Sequence, residues 1–167
     1  NLLIRNAETK DAKLLCKWWN DGEIMAHAGF PNGLGTSEQV IIKQILSDDD
    51  FNRRLILEKD SIPVGEMNYR DKGNQIAEIG IKICDFSNQE KGFGTKYLKM
   101  LINYLFTEMG YQEIILDTNL NNKRAQHVYQ KIGFQQVGIR INSWENQLGE
   151  LQSSIDYLLT KEEFLKK

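Results

Sequence analysis

The segment Gln89-Glu90-Lys91-Gly92-Phe93-Gly94-Thr95 constrains this chain more than any other, because of what flanks it. Before it, Ile76 to Cys84 alternates in the manner of a strand. Ala77, Ile79, Ile81 and Ile83 share one face, and Glu78, Gly80 and Lys82 share the other. After it, Leu98, Leu101, Ile102, Leu105 and Met109 recur at helical spacing within Thr95 to Met109, and Gly110 stops the helix. A strand that turns through glycines into a helix presents the helix's free N–H groups and positive dipole end at the turn. Gly92 and Gly94 allow positive φ and close approach of a ligand to the backbone. An anion is the natural guest, and a pyrophosphate would match several successive amides. Lys91 and Lys96 add positive charge and Thr95 a hydroxyl.

Two common phosphate loops do not fit. A dinucleotide fingerprint needs a third glycine where this chain has Tyr97, and a Walker loop needs Gly-Lys-Ser/Thr at its own spacing. The formal net charge of -2 makes a broad nucleic-acid footprint unexpected, so phosphate binding must be local and carried by backbone amides. Cys16 and Cys84 lie far apart, and with only two histidines they support neither a disulfide scaffold nor a metal cluster. There is no leader-like segment and no apolar run of about 18 residues, so the expectation is a cytoplasmic protein that does not enter a membrane. A chain of 167 residues is expected to form a single domain, residues 1–167.

Taken in order, Leu2 to Arg5 reads as an edge strand. Thr9 is the expected cap of a helix whose stripe is Ala12, Leu14, Leu15, Trp18 and Trp19, ended by Asn20-Asp21-Gly22. Trp18 and Trp19 are adjacent, so they are not expected to face the core equally. Met25 to Gly35 reads as a long loop, and Thr36, with Gln39 three residues on, as the start of a second helix. Asp48-Asp49-Asp50 reads as a solvated turn. Arg54 to Glu58 and Ile62 to Arg70 form a hairpin, Glu113 to Asn119 a central strand, and Gln136 to Trp144 and Leu151 to Thr160 two further strands. Ala125, Val128, Tyr129 and Ile132 mark the buried side of a short helix closed by Gly133, and Lys161 to Lys167 a terminal helical turn.

Asn121, Ala125, Tyr129, Lys131, Gly133 and Phe134 complete a second pattern, Asn-x-x-x-Ala/Ser-x-x-x-Tyr-x-Lys-x-Gly-Phe. Together with Gln89-x-x-Gly92-x-Gly94, a match to Gln/Arg-x-x-Gly-x-Gly/Ala, this resembles the GNAT superfamily of N-acetyltransferases. The element order β-α-α-β-β-β-α-β-α-β-β is similar to that family across nearly the whole chain. Ser143-Trp144-Glu145 and Asp156-Tyr157 are loosely similar to its ribosomal-protein and aminoglycoside acetyltransferase branch. The resemblance implies an α+β fold. Its central sheet would be mixed, mostly antiparallel and of about seven strands, with helices on both faces and a splayed strand pair holding the cofactor.

It further implies acetyl-CoA as co-substrate and no metal. The pyrophosphate would lie on Gln89, Glu90, Lys91, Gly92, Phe93, Gly94 and Thr95, and the pantetheine arm along Ile81, Lys82 and Ile83. Asn119, Asn121 and Arg124 would complete the cofactor site, and Tyr129 would protonate the leaving thiolate. Glu78, on the strand's non-apolar face, is the candidate base, with a solvated glutamate as the alternative. An amine attacks a thioester directly, so no protein nucleophile is required, and a strand-edge N–H can receive the oxyanion.

The acceptor is expected to be a primary amine: a peptide N-terminus, a polyamine or an aminoglycoside-like molecule. Its recognition falls to Glu23 to Gly35, the second helix and Trp144 to Gly149, with His27, Phe30 and Trp144 as candidate contacts. His127 is expected at the surface, and Cys84 buried as a small hydrophobe. The competing reading is a non-catalytic acyl-CoA-binding sensor. A monomer or a homodimer is compatible with the sequence.

Overall fold

The computed structural model describes residues 1–85 and 92–166. One seven-stranded sheet runs in the order β1-β2-β3-β4-β5-β7-β6. Its strands are β1 (Leu2–Asn6), β2 (Asn52–Lys59), β3 (Ile62–Asp71), β4 (Ile76–Ile83), β5 (Glu113–Asn119), β6 (Gln135–Glu145) and β7 (Leu151–Thr160). All neighbours are antiparallel except β4 and β5. The helices are α1 (Ala12–Trp19), α2 (Gly22–Met25), α3 (Glu38–Leu46), α4 (Phe93–Thr107), α5 (Lys123–Ile132) and α6 (Lys161–Leu165). Among the described residues, no helix is long and apolar enough to cross a membrane.

Alternation along the strands divides the interior into two layers. Leu55, Leu57, Met67, Ala77, Ile79, Ile114 and Leu116 point to one face. There they meet Leu98, Leu101, Ile102 and Leu105 of α4, and Tyr129 and Ile132 of α5. Ile81 and Ile83 extend the same face, half-buried. Ile56 and Cys84 belong to the opposite layer, under α1 and α3, with Leu15, Ile41 and Ile45. At roughly 1.5–3 kcal/mol per buried large aliphatic side chain, these stripes carry the fold. Tyr97, standing where a dinucleotide loop would have glycine, is fully buried and donates its hydroxyl to the Glu58 carbonyl at 2.6 Å. It ties α4 to β2.

Several local expectations need correction. Thr9 opens a 3-10 turn (Thr9–Asp11), and Glu8, in a reciprocal capping box with Asp11, supplies the cap. Ser37, not Thr36, caps α3, accepting from the Val40 amide at 3.3 Å. Thr36 instead pairs its backbone with the Asn20 side chain. The stretch read as loop starts in α2 and a 3-10 turn (Ala26–Ala28). Trp18 and Trp19 are both 7% exposed and belong to the same layer. Trp19 can be buried because its indole N–H finds the carboxylate of Glu66, itself buried on β3. The aspartate run is the solvated turn expected, and its carboxylates brace it: Asp49 accepts the Phe51 and Asn52 amides at 2.8 Å, and Asp48 accepts that of Arg54 at 2.9 Å.

Candidate active site

Among the described residues, the sheet opens at its one parallel pair, β4 and β5. β4 and β5 are in register through Ile76–Glu113, Ala77–Ile114 and Glu78–Ile115, and no further. Past that point β4 stays with β3 as far as Gly65–Ile83, and β5 stays with β7 as far as Asn119–Ser154. The amides of Cys84 and Asp85 both donate to the Val64 carbonyl, at 2.8 and 3.0 Å, which curls the end of β4 onto β3. Residues 79–82 and 116–119 therefore border a gap, and backbone groups along such an edge need a partner. Glu78 closes the ladder, half-buried, opposite Arg70 on β3 and Ile115 on β5.

The N-terminus of α4 stands beside that gap. A Cβ built on Gly94 would come 4.0 Å from Ile83 Cγ1. Gly92 is the N-cap, with φ of 78°, a conformation that favours glycine. No side chain among the described residues caps this helix, and its first turn holds no acidic residue. The leading N–H groups of a helix start are donors suited to an anionic acceptor. Lys59 and Lys96 place their ammonium groups 4.7 and 5.7 Å from the Phe93 ring centre, adding positive charge at the same end. Thr95 lies in the first turn of the helix. Gln89, Glu90 and Lys91 fall outside the described residues. These features fit a pyrophosphate-bearing ligand.

Tyr129 is buried on α5, its ring 5.6 Å from that of Tyr157 and 6.0 Å from that of Phe134. Burial drives its hydroxyl well above the ordinary phenol range, with the Asp117 carboxylate and Tyr157 adding to the effect. It therefore stays protonated at neutral pH. Asn119 turns out to be committed within the chain. Its Oδ1 accepts the Asn121 amide at 2.9 Å, and its Nδ2 donates to Gln152 Oε1 at 2.9 Å and the His27 carbonyl at 3.5 Å. Its buried side chain locks the end of β5. Asn121 and Arg124 are exposed at the start of α5, which is capped by Asn122 through the Ala125 amide at 3.2 Å. His127 is exposed and Cys84 buried.

On the opposite face, the first long loop and the β6–β7 turn meet. The Trp144 ring lies on Gly29, where a Cβ would fall 2.5 Å from the ring, and its indole donates to Ser154 Oγ at 2.9 Å. Gln147 is the residue that sequence reasoning missed. Its amide donates to the Gly29 carbonyl at 2.7 Å and its Nε2 to the Gly33 carbonyl at 3.0 Å, while its Oε1 accepts the Asn32 amide at 2.9 Å. No local pattern marks a clamp of that span. Phe30 is half-buried in the α1–α3 layer, and His27 is exposed with its carbonyl toward Asn119. Beside this loop a groove of about 560 Å³ runs along the sheet under α3, from Trp19, Met25 and Leu34 to Asp48, Asn52 and Arg70. That size suits a small molecule. Among the described residues no cluster of His, Cys, Asp or Glu is gathered for a metal.

Among the described residues, a sheet split past its parallel ladder and a glycine-led helix without a side-chain cap at the mouth of the split form the kind of cleft that an acyltransferase with a thioester donor needs. The chain belongs to the acetyltransferase (GNAT) domain family, whose model matches residues 1–135, and it is an N-acetyltransferase that draws on acetyl-CoA. It is 26% identical to the uncharacterized N-acetyltransferase p20 of Bacillus licheniformis over 170 aligned residues, 98% of this chain and 94% of that one. It is 30% identical to the spermidine N(1)-acetyltransferase of Escherichia coli (strain K12) over 92 residues, 54% of this chain and 49% of that one. The crystal structure of spermidine N-acetyltransferase from Vibrio cholerae in complex with CoA and spermine superposes with a TM-score of 0.86 at 22% identity, covering 98% of each chain. The last of these establishes the shared fold.

Proposed function

We propose that the chain transfers the acetyl group of acetyl-CoA directly to a small primary amine within a ternary complex. The observation that carries this reading is the register limit of β4 and β5, which stop pairing at Glu78–Ile115. An extended pantetheine arm is the right shape to follow the edge of β4 along Ile81, Lys82 and Ile83. The pyrophosphate then falls to the α4 end, at Gly92, Phe93, Gly94 and Thr95, with Asn121, just before α5, and Arg124, in its first turn, completing the cofactor site. The donor supplies an activated acyl carbon and a thiolate leaving group. Everything else is asked of the chain.

The amine must lose a proton as its nitrogen forms the new C–N bond, and Glu78, at the head of the gap, takes it directly or through water. As the C–S bond breaks, the thiolate takes the proton of the Tyr129 hydroxyl. Burial of that hydroxyl ensures that the proton is present at the start. The relatives that act on spermidine, and the molecular size of the groove, favour a small-molecule acceptor over a protein surface.

Thermal unfolding with acetyl-CoA, and separately with ATP, tests the donor site. Acetyl-CoA should raise the midpoint by mass action and ATP should not. Thiol release from acetyl-CoA in the presence of an amine panel tests transfer. Binding without thiol release for any amine would leave only an acyl-CoA sensor.

A further inference from the structure

The charges lining the groove do not suit a polycation. Four are basic, Arg53, Arg54, Arg70 and Lys82, and two are acidic, Asp48 and Glu66. The acids are engaged by the protein itself, Glu66 by a cation and Asp48 by a backbone amide. Glu66 receives the Trp19 indole on one oxygen and Arg54, at 2.5 Å, on the other. Asp48 receives the Arg54 amide at 2.9 Å. Arg53 is held by Asp50 at 3.2 Å. Arg70 and Lys82 remain, and no ion pair within 4.0 Å joins either to a described residue.

The register puts these two cations in one place. Arg70, Asn68 and Glu66 follow one another along one face of β3, opposite Glu78, Gly80 and Lys82 of β4. Arg70 and Lys82 thus flank the central Asn68–Gly80 pair from opposite corners. The Asn68 side chain lies over Gly80, where a Cβ would come 2.9 Å from its Nδ2, so the centre of the patch carries an amide. Glu78 is the only acid of this patch not engaged by a described partner, and the proposed transfer gives it the amine. A second ammonium on the acceptor would then face Arg70 and Lys82, and like charges in a concave site are strongly disfavoured. A carboxylate there would meet a guanidinium suited to two parallel hydrogen bonds, an ammonium and an amide.

We propose that the preferred acceptor is a small primary amine that also carries a carboxylate, an amino acid or dipeptide in charge pattern, seated through that carboxylate by Arg70 and Lys82. This rests on the groove beside Glu78 being the acceptor site of the N-acetyltransferase.

The test compares kcat/KM for β-alanine, 4-aminobutyrate and glycylglycine with that for their uncharged carboxamides and for spermidine, by thiol release. The acids should exceed their amides by about tenfold or more, the worth of one charge-assisted hydrogen bond, and should exceed spermidine. In Arg70→Gln and Lys82→Gln the acid-to-amide ratio should fall about tenfold. Arg70 is exposed, so its variant tests the idea without straining the core. Spermidine or the amides matching the acids would overturn the proposal while leaving the enzyme intact, as would an unchanged ratio in both variants. If acetyl-CoA raises the unfolding midpoint yet no acid is acetylated, the acceptor class is wrong. If acetyl-CoA does not bind, the donor reading falls and the proposal with it.

Discussion

Gln147 reaches back to Gly33, 114 residues earlier, donating Nε2 to its carbonyl at 3.0 Å. With the Asn32 amide on its Oε1, this one side chain holds the loop after α2 against the β6–β7 turn. The loop borders the groove through Met25 and Leu34. The rim of the groove is therefore held in place from the far end of the chain.

Gln147→Ala removes both side-chain bonds and leaves Trp144 on Gly29. Stability should fall by about 1 kcal/mol, since partly exposed hydrogen bonds are worth little each. The KM for the amine should rise severalfold while that for acetyl-CoA stays put. An unchanged acceptor KM would show that the loop holds its shape without the clamp.

Tyr129→Phe keeps the ring contacts with Tyr157 and Phe134 and removes only the hydroxyl. The fold and the acetyl-CoA thermal shift should survive, and kcat should drop about 10²-fold, a typical loss for one proton-transfer group. Because burial raises the hydroxyl above its ordinary range, the wild-type rate should not decline between pH 8 and about 10 through loss of this proton. A variant with full kcat would remove Tyr129 from the chemistry.

Arg5 grips Asp11 with two nitrogens, each at 2.8 Å, and Glu58 with Nε at 2.7 Å. Burial pushes the Asp11 carboxyl up, but the Arg5 bonds and the Glu8 amide outweigh it and hold the group below its usual range. A carboxyl depressed by folding contributes its full stability above its unfolded value of about 4, and loses it as pH falls through the folded value. Arg5→Met should cost about 3 kcal/mol at pH 7 in urea unfolding, because it leaves two carboxylates without their cation. The variant should also lose less on acidification from about pH 4 to pH 2. Parallel acid limbs for the two proteins would contradict this.

Hydrogen exchange reads the gap directly. The amide of Ile81, past the end of the parallel ladder, should slow on addition of acetyl-CoA, while those at Leu55 to Leu57 in β2 should not. Slowing confined to α4, with none in β4, would separate the pyrophosphate seat from the strand edge.

Much of this molecule was legible in its residues, for reasons that can be stated. The stripe Leu98, Leu101, Ile102, Leu105 and the alternation through Ala77 and Ile79 are periodic, and burial follows period. Helix starts were read one residue off at Ser37, because Thr36 and Ser37 offer similar chemistry and only backbone angles choose between them. The paired burial of Trp18 and Trp19 needed Glu66, a partner 47 residues from Trp19 that no local pattern announces. The same holds for Gln147. Lys82 was legible as a strand residue, but its place diagonal to Arg70 depends on the register of two strands, which becomes visible only when they are paired.

The ladder that ends at Glu78–Ile115 leaves the sheet as two blocks sharing a short seam, β1 to β4 on one side and β5, β7 and β6 on the other. A ligand lying along the seam would act as a temporary eighth strand. Turnover would then be coupled to mechanical continuity, with the protein stiffest while loaded and most compliant after release. Changes in the seam's width would alter donor residence time without any change in the groups that perform the chemistry.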